Sequence, residues 1–493
     1  MARINTNIGS IIAQNNLARS GNDLQTHLQR LSTGLRINRG ADDPAGLIVS
    51  ERLRSEMRGI DQGIKNSERA SSVIATTEGY LNEVADLLNS MKALVVESAN
   101  TGGKSQEEIE ANQLQIDSAI ESITRISNTA SFAGLQLLNG SLSYQTSGVD
   151  EDKISTTDIN SVQFGNNENV PVSVEVIEPA ENAELFLSGN TTGAAGELLS
   201  SVTIEVAGDR GVQTLSFVSG TSLSDVVSAV NTLKESTGVS ASLVDDADET
   251  SGMVFNSIGY GSDSFVSVQR VGAGGEFFNV ATEQDGDIVQ RDEGKDVLAT
   301  VNGAVANGKG LDVSLNTPSL SLDMSLAAEF ATQTADDAQF HITGGGSNFQ
   351  LGPEVNATQQ VGFGIGSVAA SRLGGTLVED TLYHLDSIKS GQDNSLINGR
   401  AEQASQILEQ AITEVSVLRG RLGAFERNTL QTNINSLQIG MENITASESL
   451  IRDADFAKET AGLSRAQILQ QAGTSVLSTA NTTSQNVLAL LGG

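Results

Sequence analysis

The stretch Leu24-Gln-Thr-His-Leu-Gln-Arg-Leu-Ser-Thr-Gly-Leu-Arg-Ile-Asn-Arg-Gly-Ala-Asp-Asp-Pro44 holds the end of one predicted helix and the start of the next. Its leucines continue an apolar seam whose spacings of 7, 4, 3 and 4 are typical of a coiled coil: Leu17, Leu24, Leu28, Leu31 and Leu35. Gly34 to Gly46 interrupts this seam. Asp42-Asp43-Pro44 then indicates a helix start, because a carboxylate can cap free N–H groups and proline suits the first turn. The stretch therefore predicts two helices joined by a short elbow.

Helical periodicity continues on both sides of the elbow and returns at the other end of the chain. Long helices are predicted from about Pro44 to Asn100 and from about Ser105 to Thr129. Towards the end of the chain, helices are predicted from Ala401 to about Ser449 and from about Ser464 to Leu491. The two ends of the sequence are thus helical segments with apolar faces.

The middle of the chain has a different composition, rich in Gly, Ser, Thr and Asp from about residue 130 to residue 395. Alternating segments such as Val202–Val206 and Thr214–Val218 predict strands, and Ser222 to Ser236 predicts a helix. The fold class expected is an α+β multidomain protein. Its N- and C-terminal segments form a terminal coiled coil and a helical bundle, and a β-rich variable region is inserted between them.

Domain boundaries follow from these changes of pattern. Residues 1–43 and 453–493 are expected to form the paired terminal helices, and residues 44–145 and 396–452 a helical bundle with a β-hairpin. Residues 146–395 are expected to form the solvent-exposed region, with a subdivision into about 146–290 and 291–395.

Charge is distributed unevenly along the chain. The formal net charge is -32, and residues 145–395 hold 36 acidic and 9 basic side chains, a balance of -27. This composition argues against binding to nucleic acid and to anionic membranes, because both depend on Lys and Arg. The nearly neutral ends can pack against copies of themselves without strong repulsion. No apolar stretch approaches the length of a membrane span, and the start lacks the apolar run of a cleavable signal peptide.

Residues able to support catalysis or metal binding are sparse. The chain has no Cys and three His, His27, His341 and His384, none of them in an HExxH motif. His27 is interpreted as a residue flanking the seam. The acidic cluster Asp245 to Glu249 lacks the pattern of a calcium loop and is interpreted as a solvated turn. We therefore expect no metal, no cofactor and no enzymatic activity.

Pairing of the two ends is the economical arrangement, because an isolated amphipathic helix is marginal in water and is stabilised by packing its apolar face. One antiparallel pair leaves part of each face uncovered, which other copies of the pair can cover. Identical subunits joined by non-closing contacts form a helical filament. Periodicity alone leaves this filament and a monomeric coiled-coil stalk as alternatives.

Motifs at both termini resemble those of the bacterial flagellins. Gln29 to Asn38, followed by Ala41 to Gly46, is similar to the N-terminal signature of that family. Ser464 to Leu477 and Asn486 to Leu491 are similar to its C-terminal signature. Residues of about 200–244 are similar to a strand–strand–helix insert found in flagellins and hook-associated proteins.

This resemblance implies an extracellular structural subunit of the flagellar filament, whose terminal helices fold on assembly. Implied partners are further copies of the chain, the filament cap protein, the hook–filament junction protein, an export chaperone and the flagellar type III apparatus. The residues expected to pack in the filament core are Ile4, Ile8, Ile11, Leu17, Leu24, Leu28, Leu31, Ile468, Leu469, Val476, Val487, Leu490 and Leu491.

One family site departs from its usual pattern. Many flagellins are sensed by an innate immune receptor through a stretch whose matching positions here are Asn89, Ser90, Met91, Lys92, Ala93 and Leu94. Ser90 stands where the family has a key Arg, and Ala93 where it has a Glu. Losing the guanidinium removes bidentate hydrogen bonding, so the resemblance does not imply receptor activation here.

Two alternatives stay open at the level of the sequence. The hook-associated junction protein shares both helical ends, and the acidic middle could carry a surface-binding function in addition to a structural one.

Overall fold

The computed structural model describes residues 6–100, 102–165, 167–188, 196–245, 248–284, 286–334, 336–378 and 381–491, with only the backbone at residues 249, 377, 484 and 486–491. The helices are α1 (Ile8–Thr33), α2 (Pro44–Ser98), α3 (Gln106–Thr129), α4 (Leu223–Thr232), α5 (Lys234–Thr237), α6 (Ala328–Ala331), α7 (Ala401–Ala424), α8 (Thr432–Arg452) and α9 (Phe456–Leu491). A π-helical segment, Phe425–Gln431, joins α7 to α8. None of the helices in these ranges is long and apolar enough to span a membrane.

The strands lie between α3 and α7. They are β1 (Ser131–Phe132), β2 (Leu135–Gln136), β3 (Tyr144–Ser147), β4 (Ile154–Val162), β5 (Val170–Glu178), β6 (Asn182–Ser188), β7 (Val202–Ala207), β8 (Val212–Phe217), β9 (Val239–Leu243), β10 (Gly252–Tyr260), β11 (Phe265–Arg270), β12 (Val280–Ala281), β13 (Arg291–Glu293), β14 (Leu298–Val301), β15 (Ala304–Val305), β16 (Asn307–Lys309), β17 (Asp312–Asn316), β18 (Leu320–Leu326), β19 (Asp337–Gly345), β20 (Ser347–Gln350), β21 (Gln360–Phe363), β22 (Thr376–Val378) and β23 (Thr381–Tyr383).

The chain divides into two compact units. The first comprises residues up to 72, residues 350–355 and residues from 423 onward. Within it α1 packs along α9, and the segment after α1 meets the segment before α9: the Arg36 N–H donates to the Arg452 carbonyl at 2.7 Å, and the Ala454 N–H to the Gly34 carbonyl at 2.9 Å. Gly34 ends α1 with a φ of 73°, a left-handed conformation that glycine adopts without strain.

Helix boundaries in this unit follow the capping residues. The Asp43 carboxylate accepts the Gly46 N–H at 2.9 Å, as expected for the predicted start of α2. The last helix was expected to begin at about Ser464, but α9 begins at Phe456. The earlier start has a local cause, because the Asp455 carboxylate accepts the N–H groups of Ala457 and Lys458 at 2.9 and 3.1 Å.

The second unit comprises residues 73–349 and 356–422 and includes the later part of α2 together with α3 and α7. These helices bury apolar side chains at helical spacing, including Leu88 and Met91 of α2, Ile116 and Ile120 of α3, and Leu408 of α7. The Ser105 side chain and Glu108 form a capping box that begins α3, and the short β1–β2 hairpin follows it.

The described residues of the β-rich region form two apolar cores, one nested inside the other in sequence. The outer core is built on two sheets with strand orders β15-β14-β5-β19-β3 and β16-β17-β18-β4. The inner core is built on sheets with orders β12-β6-β10-β9 and β13-β11-β7-β8, and helix α4 contributes Leu223, Val226 and Val230 to it.

The predicted subdivision into residues 146–290 and 291–395 is therefore corrected. Strand β5 pairs with β14 and β19, and β4 pairs with β18, so residues on both sides of that boundary share the outer core. The residues of the inner core, from Ala183 to Val280, are inserted between β5 and β14. The inner core is inserted in the outer one because strands far apart in sequence pair with each other. Such pairing cannot be predicted from the pattern of neighbouring residues.

Candidate functional site: the paired terminal helices

Helices α1 and α9 run antiparallel in a register that several contacts define. Near the start of α1, the Asn7 side-chain amide donates to the Ala480 carbonyl at 3.0 Å. Further along, Leu17 packs beside Gly473, where an added methyl group would lie 3.2 Å from a Leu17 side-chain carbon. A β-bridge between Leu35 and Asp453 closes the pair at the elbow.

Buried and half-buried residues of each helix recur at alternating spacings of three and four. The residues that follow this alternation are Ser10, Ala13, Leu17, Ser20, Leu24, His27 and Leu31 on α1, and Glu459, Leu463, Ala466, Gln470, Gly473, Leu477 and Ala480 on α9; Gly21, Gln29, Arg30 and Gly462 beside them are also half-buried. This alternation is the a/d pattern of a coiled coil. Small and polar residues occupy half or more of these positions, so the seam holds the helices close but buries a modest amount of apolar surface.

His27 lies in this seam, which corrects its interpretation as a flanking residue. Its Nδ1 donates to Glu459 Oε2 at 2.5 Å, and Arg30 Nη1 donates to Glu459 Oε1 at 3.2 Å. The Glu459 side chain is only 7% exposed. Burial opposes its ionisation, but the hydrogen bonds from His27 and Arg30 outweigh that effect and hold the pKa of Glu459 below its ordinary value.

The residues expected in the filament core occupy different places on this pair. Leu17, Leu24 and Leu31 are half-buried in the seam. Six others lie outside it with exposed side chains: Ile8, Ile11, Leu28, Ile468, Leu469 and Val476. Ile4 lies outside the described residues, as do the side chains of Val487, Leu490 and Leu491. Placing Leu28 on the seam was therefore wrong, because the repeat passes through His27 at this turn.

An exposed apolar face remains on each helix of the pair. On α1 it consists of Ile8, Ile11 and Ile12, and on α9 of Ile468, Leu469 and Val476; all six are between 48% and 65% exposed. Ile12 was not among the predicted core residues, although its spacing of four from Ile8 places it on the same helix face. We call these six residues the outer apolar face. Each helix thus has one side for its partner in the chain and another open to solvent.

The stretch equivalent to the family's receptor site lies on α2. Asn89, Ser90 and Ala93 are exposed and Met91 is fully buried, while Leu94 is half-buried. The Ser90 hydroxyl donates to the Asp86 carbonyl at 2.9 Å. Lys92 donates to the Ser405 hydroxyl at 2.6 Å and also bonds Glu409, both on α7.

The remaining histidines lie on other elements, His341 exposed on β19 and His384 just before a 3₁₀ turn. Among the described residues there is no group of three or more His, Asp or Glu side chains that could hold a metal ion.

Family comparisons agree with this architecture along the chain. The model of the bacterial flagellin N-terminal helical region matches residues 4–143, and that of the C-terminal helical region matches residues 405–491. The flagellin hook IN motif matches residues 201–259. The chain is also 30% identical over 518 residues to a flagellin of Salmonella typhimurium, with 99% of both chains covered.

The chain belongs to the bacterial flagellin family. A B-type flagellin of Pseudomonas aeruginosa is likewise 30% identical, over 542 residues and 99% of both chains. Flagellins are structural proteins, and this flagellin is a self-assembling subunit of the extracellular flagellar filament. The alternative of a hook-associated junction protein is not favoured, because the relatives matched over the full length are flagellins.

A solved structure of hook-associated protein-3 from Legionella pneumophila covers 80% of this flagellin at 11% identity, with a TM-score of 0.30.

Proposed function

We propose that this flagellin polymerises by burying the outer apolar face of its α1–α9 pair against neighbouring copies. The observation that carries the proposal is the exposure of six large aliphatic side chains on two helices that already pair along another side. Clustered aliphatic side chains of this kind mark interaction sites on soluble proteins. Contacts between different surfaces of identical chains do not close on themselves, so they extend into a filament.

The predicted core residues then divide into two roles. Leu17, Leu24 and Leu31 hold the pair together within one subunit. Ile8, Ile11, Ile468, Leu469 and Val476 contact other subunits, and we extend this role to Ile12. Ordering the terminal helices costs conformational entropy, which the modest seam offsets only in part. Packing between subunits supplies the rest, so folding of the ends is coupled to assembly.

We further propose the placement of the regions in the filament. Residues 1–43 and 453–493 form the inner core, residues 44–145 and 396–452 surround it, and residues 146–395 face solvent. The charge distribution supports this order, because residues 145–395 carry a net -27 while the rest of the chain carries -5. Packing the acidic region at the centre would bring like charges of neighbouring copies together.

The export and capping partners proposed here are those that the resemblance to flagellins implies. We propose that this flagellin leaves the cell through the flagellar type III apparatus with the help of a chaperone, and that it is added between the filament cap and the hook–filament junction protein.

Recognition by the innate immune receptor is proposed to be weak. The exposed positions of the equivalent stretch carry Ser90 and Ala93 in place of charged residues, and Lys92 is engaged with α7. The short side chain of Ser90, whose hydroxyl donates to the Asp86 carbonyl of the same helix, cannot form the two parallel hydrogen bonds of a guanidinium.

Terminal truncations test the assembly proposal. Deleting about 30 residues from either end is expected to abolish seeded polymerisation while leaving a soluble protein with an intact β-rich region. Circular dichroism and thermal unfolding of the truncated chains provide the control for folding. Normal filament growth from either truncated protein would rule the proposal out.

A further inference from the structure

Glu459 is unusual among the described residues, because it is the only charged residue there that is buried. Both of its carboxylate oxygens have a partner on α1: His27 at 2.5 Å and Arg30 at 3.2 Å. A buried ion pair contributes little net stability, because desolvating the charges costs about as much as their attraction returns. A buried polar group in a coiled-coil seam has a better-attested role, which is to select one register of pairing over others.

The apolar contacts of the seam, as distinct from the hydrogen bonds of Asn7 and of the elbow, discriminate poorly between registers. Leu17 faces Gly473, and a slip by one heptad would place it opposite Ala466 or Ala480, which are also small. Leucine can be accommodated at each of these places, and the spacing of three and four residues is preserved by a shift of seven. The apolar contacts alone would therefore allow slipped pairs.

Slipped pairs leave Glu459 without its partners. A shift of seven residues in one direction places it opposite Ser20 and Asp23, which offer one hydroxyl and a second negative charge. A shift in the other direction places it beyond Thr33, where α1 ends. In either case the Glu459 carboxylate loses its bonds to His27 and Arg30, and in the first case it also faces a like charge while still in the seam, which costs more than the native pair contributes.

We propose that Glu459, held by His27 and Arg30, fixes the register in which α1 and α9 pair. It acts because a slip of one heptad in either direction breaks the bonds of Glu459 to His27 and Arg30. Correct register matters for a polymer, because a slip of one heptad displaces the outer apolar face of α9 by about 10 Å along α1, at 1.5 Å per residue. Subunits with slipped ends would present a mismatched surface to the next copy. The proposal rests on the pairing seen within the chain and not on which residues contact neighbouring subunits.

Disulfide trapping measures the register directly, and the chain has no native Cys to interfere. The variant Leu17→Cys/Gly473→Cys reports the native register, because a Cβ at Gly473 would lie 3.8 Å from that of Leu17, a spacing suited to a disulfide. The variant Ser10→Cys/Gly473→Cys reports a slip of seven residues. Both are oxidised as full-length protein, in solution and in seeded filaments, and the intrachain disulfide is quantified by mass spectrometry.

With His27, Arg30 and Glu459 all present, the disulfide of the slipped register is expected at less than about a tenth of the yield of the native-register disulfide. A tenfold difference corresponds to a free-energy difference between the two registers of at least about 1.4 kcal/mol. In the background His27→Leu/Glu459→Leu, the two yields are expected to come within about threefold, although the helices still pair. Gln470→Leu is the matched control, because it replaces an uncharged polar residue of the same seam. It should leave the ratio of native-register to slipped-register disulfide unchanged.

Exchanging the partners, with His27→Glu and Glu459→His, should restore the discrimination, because the interaction crosses the seam in either direction. An unchanged ratio in the leucine background would overturn the proposal. A low ratio of native-register to slipped-register disulfide in the exchanged variant would also overturn it, because the register would then not depend on the pair at positions 27 and 459.

Discussion

Ile468→Ala is the substitution that tests the outer apolar face most sharply. Ile468 is 65% exposed in the single chain, so replacing it removes few contacts within the subunit. Alanine is also a better helix former than isoleucine, which favours α9 rather than weakening it. An effect on assembly therefore has to come from contacts with neighbouring copies.

The size of that effect follows from the exposed surface. Replacing isoleucine by alanine removes three carbon groups, which contribute about 2.4 kcal/mol on full burial at ~0.8 kcal/mol each. About two-thirds of the side chain is still available for a neighbour to cover, leaving roughly 1.5 kcal/mol per added subunit. Because 1.4 kcal/mol is a factor of ten in an equilibrium constant, the critical concentration should rise about tenfold.

The assay is seeded polymerisation, followed by sedimentation and measurement of the protein left in the supernatant. Ile288→Ala is the matched control: the residue type is the same, its exposure is 64%, and it lies in the acidic region proposed to face solvent. This control should leave the critical concentration within about twofold of the unaltered protein, well below the tenfold change expected above. Equal critical concentrations for the two variants would refute the assignment of Ile468 to a subunit interface.

Three further outcomes are expected. In Gly362→Ala the new methyl group would lie 2.4 Å from the Tyr144 hydroxyl, so the free energy of unfolding of the β-rich region, measured in urea, should fall by about 1–3 kcal/mol. Gly366→Ala is the control, because its methyl group would enter open space and the free energy of unfolding should not change. The depressed pKa of Glu459 means that its stabilising effect is complete above the unfolded pKa and is lost as the pH falls through the folded pKa. As the pH falls below about 4.3, the ordinary pKa of Glu, filaments of the unaltered chain should therefore lose more stability than those of Glu459→Gln, and equal losses in sedimentation assays would contradict this. Receptor reporter cells should respond weakly to the unaltered chain and more strongly to Ser90→Arg, and a strong response to the unaltered chain would disprove evasion.

Much of the helical architecture could be predicted from the sequence, because its signals are local. The elbow after α1 follows from Gly34 and Asp43, whose conformation and capping bond are properties of a few neighbouring residues. Leu17, Leu24 and Leu31 recur at a spacing that defines one helix face whatever the partner. All three are half-buried on the face of α1 that follows the three-and-four alternation.

Other features depend on contacts between distant residues and could not be predicted in this way. His27 was interpreted as a flanking residue, because nothing nearby in sequence shows that Glu459 lies opposite it. The same limit applies to the β-rich region, where β5 pairs with β14 across the whole inner core. The π-helical segment Phe425–Gln431 was included in one long predicted helix, although its two apolar residues, Phe425 and Leu430, are five positions apart.

For the exposed apolar residues, the sequence predicts packing but does not identify the packing partner. Spacing identified Ile8, Ile11, Ile468 and Val476 as packing residues, but it could not say what they pack against. The structure separates them from the seam of their own chain, and this separation is the basis for assigning them to contacts between subunits.

A helical reconstruction of filaments grown from the purified protein by electron microscopy tests the central claim most directly. We expect the α1–α9 pairs to line the filament core in the register seen here. Ile468 and Val476 should be buried against neighbouring subunits, and residues 146–395 should lie on the outside. A filament in which the outer apolar face remains exposed to solvent, or in which the acidic region forms the core, would contradict it.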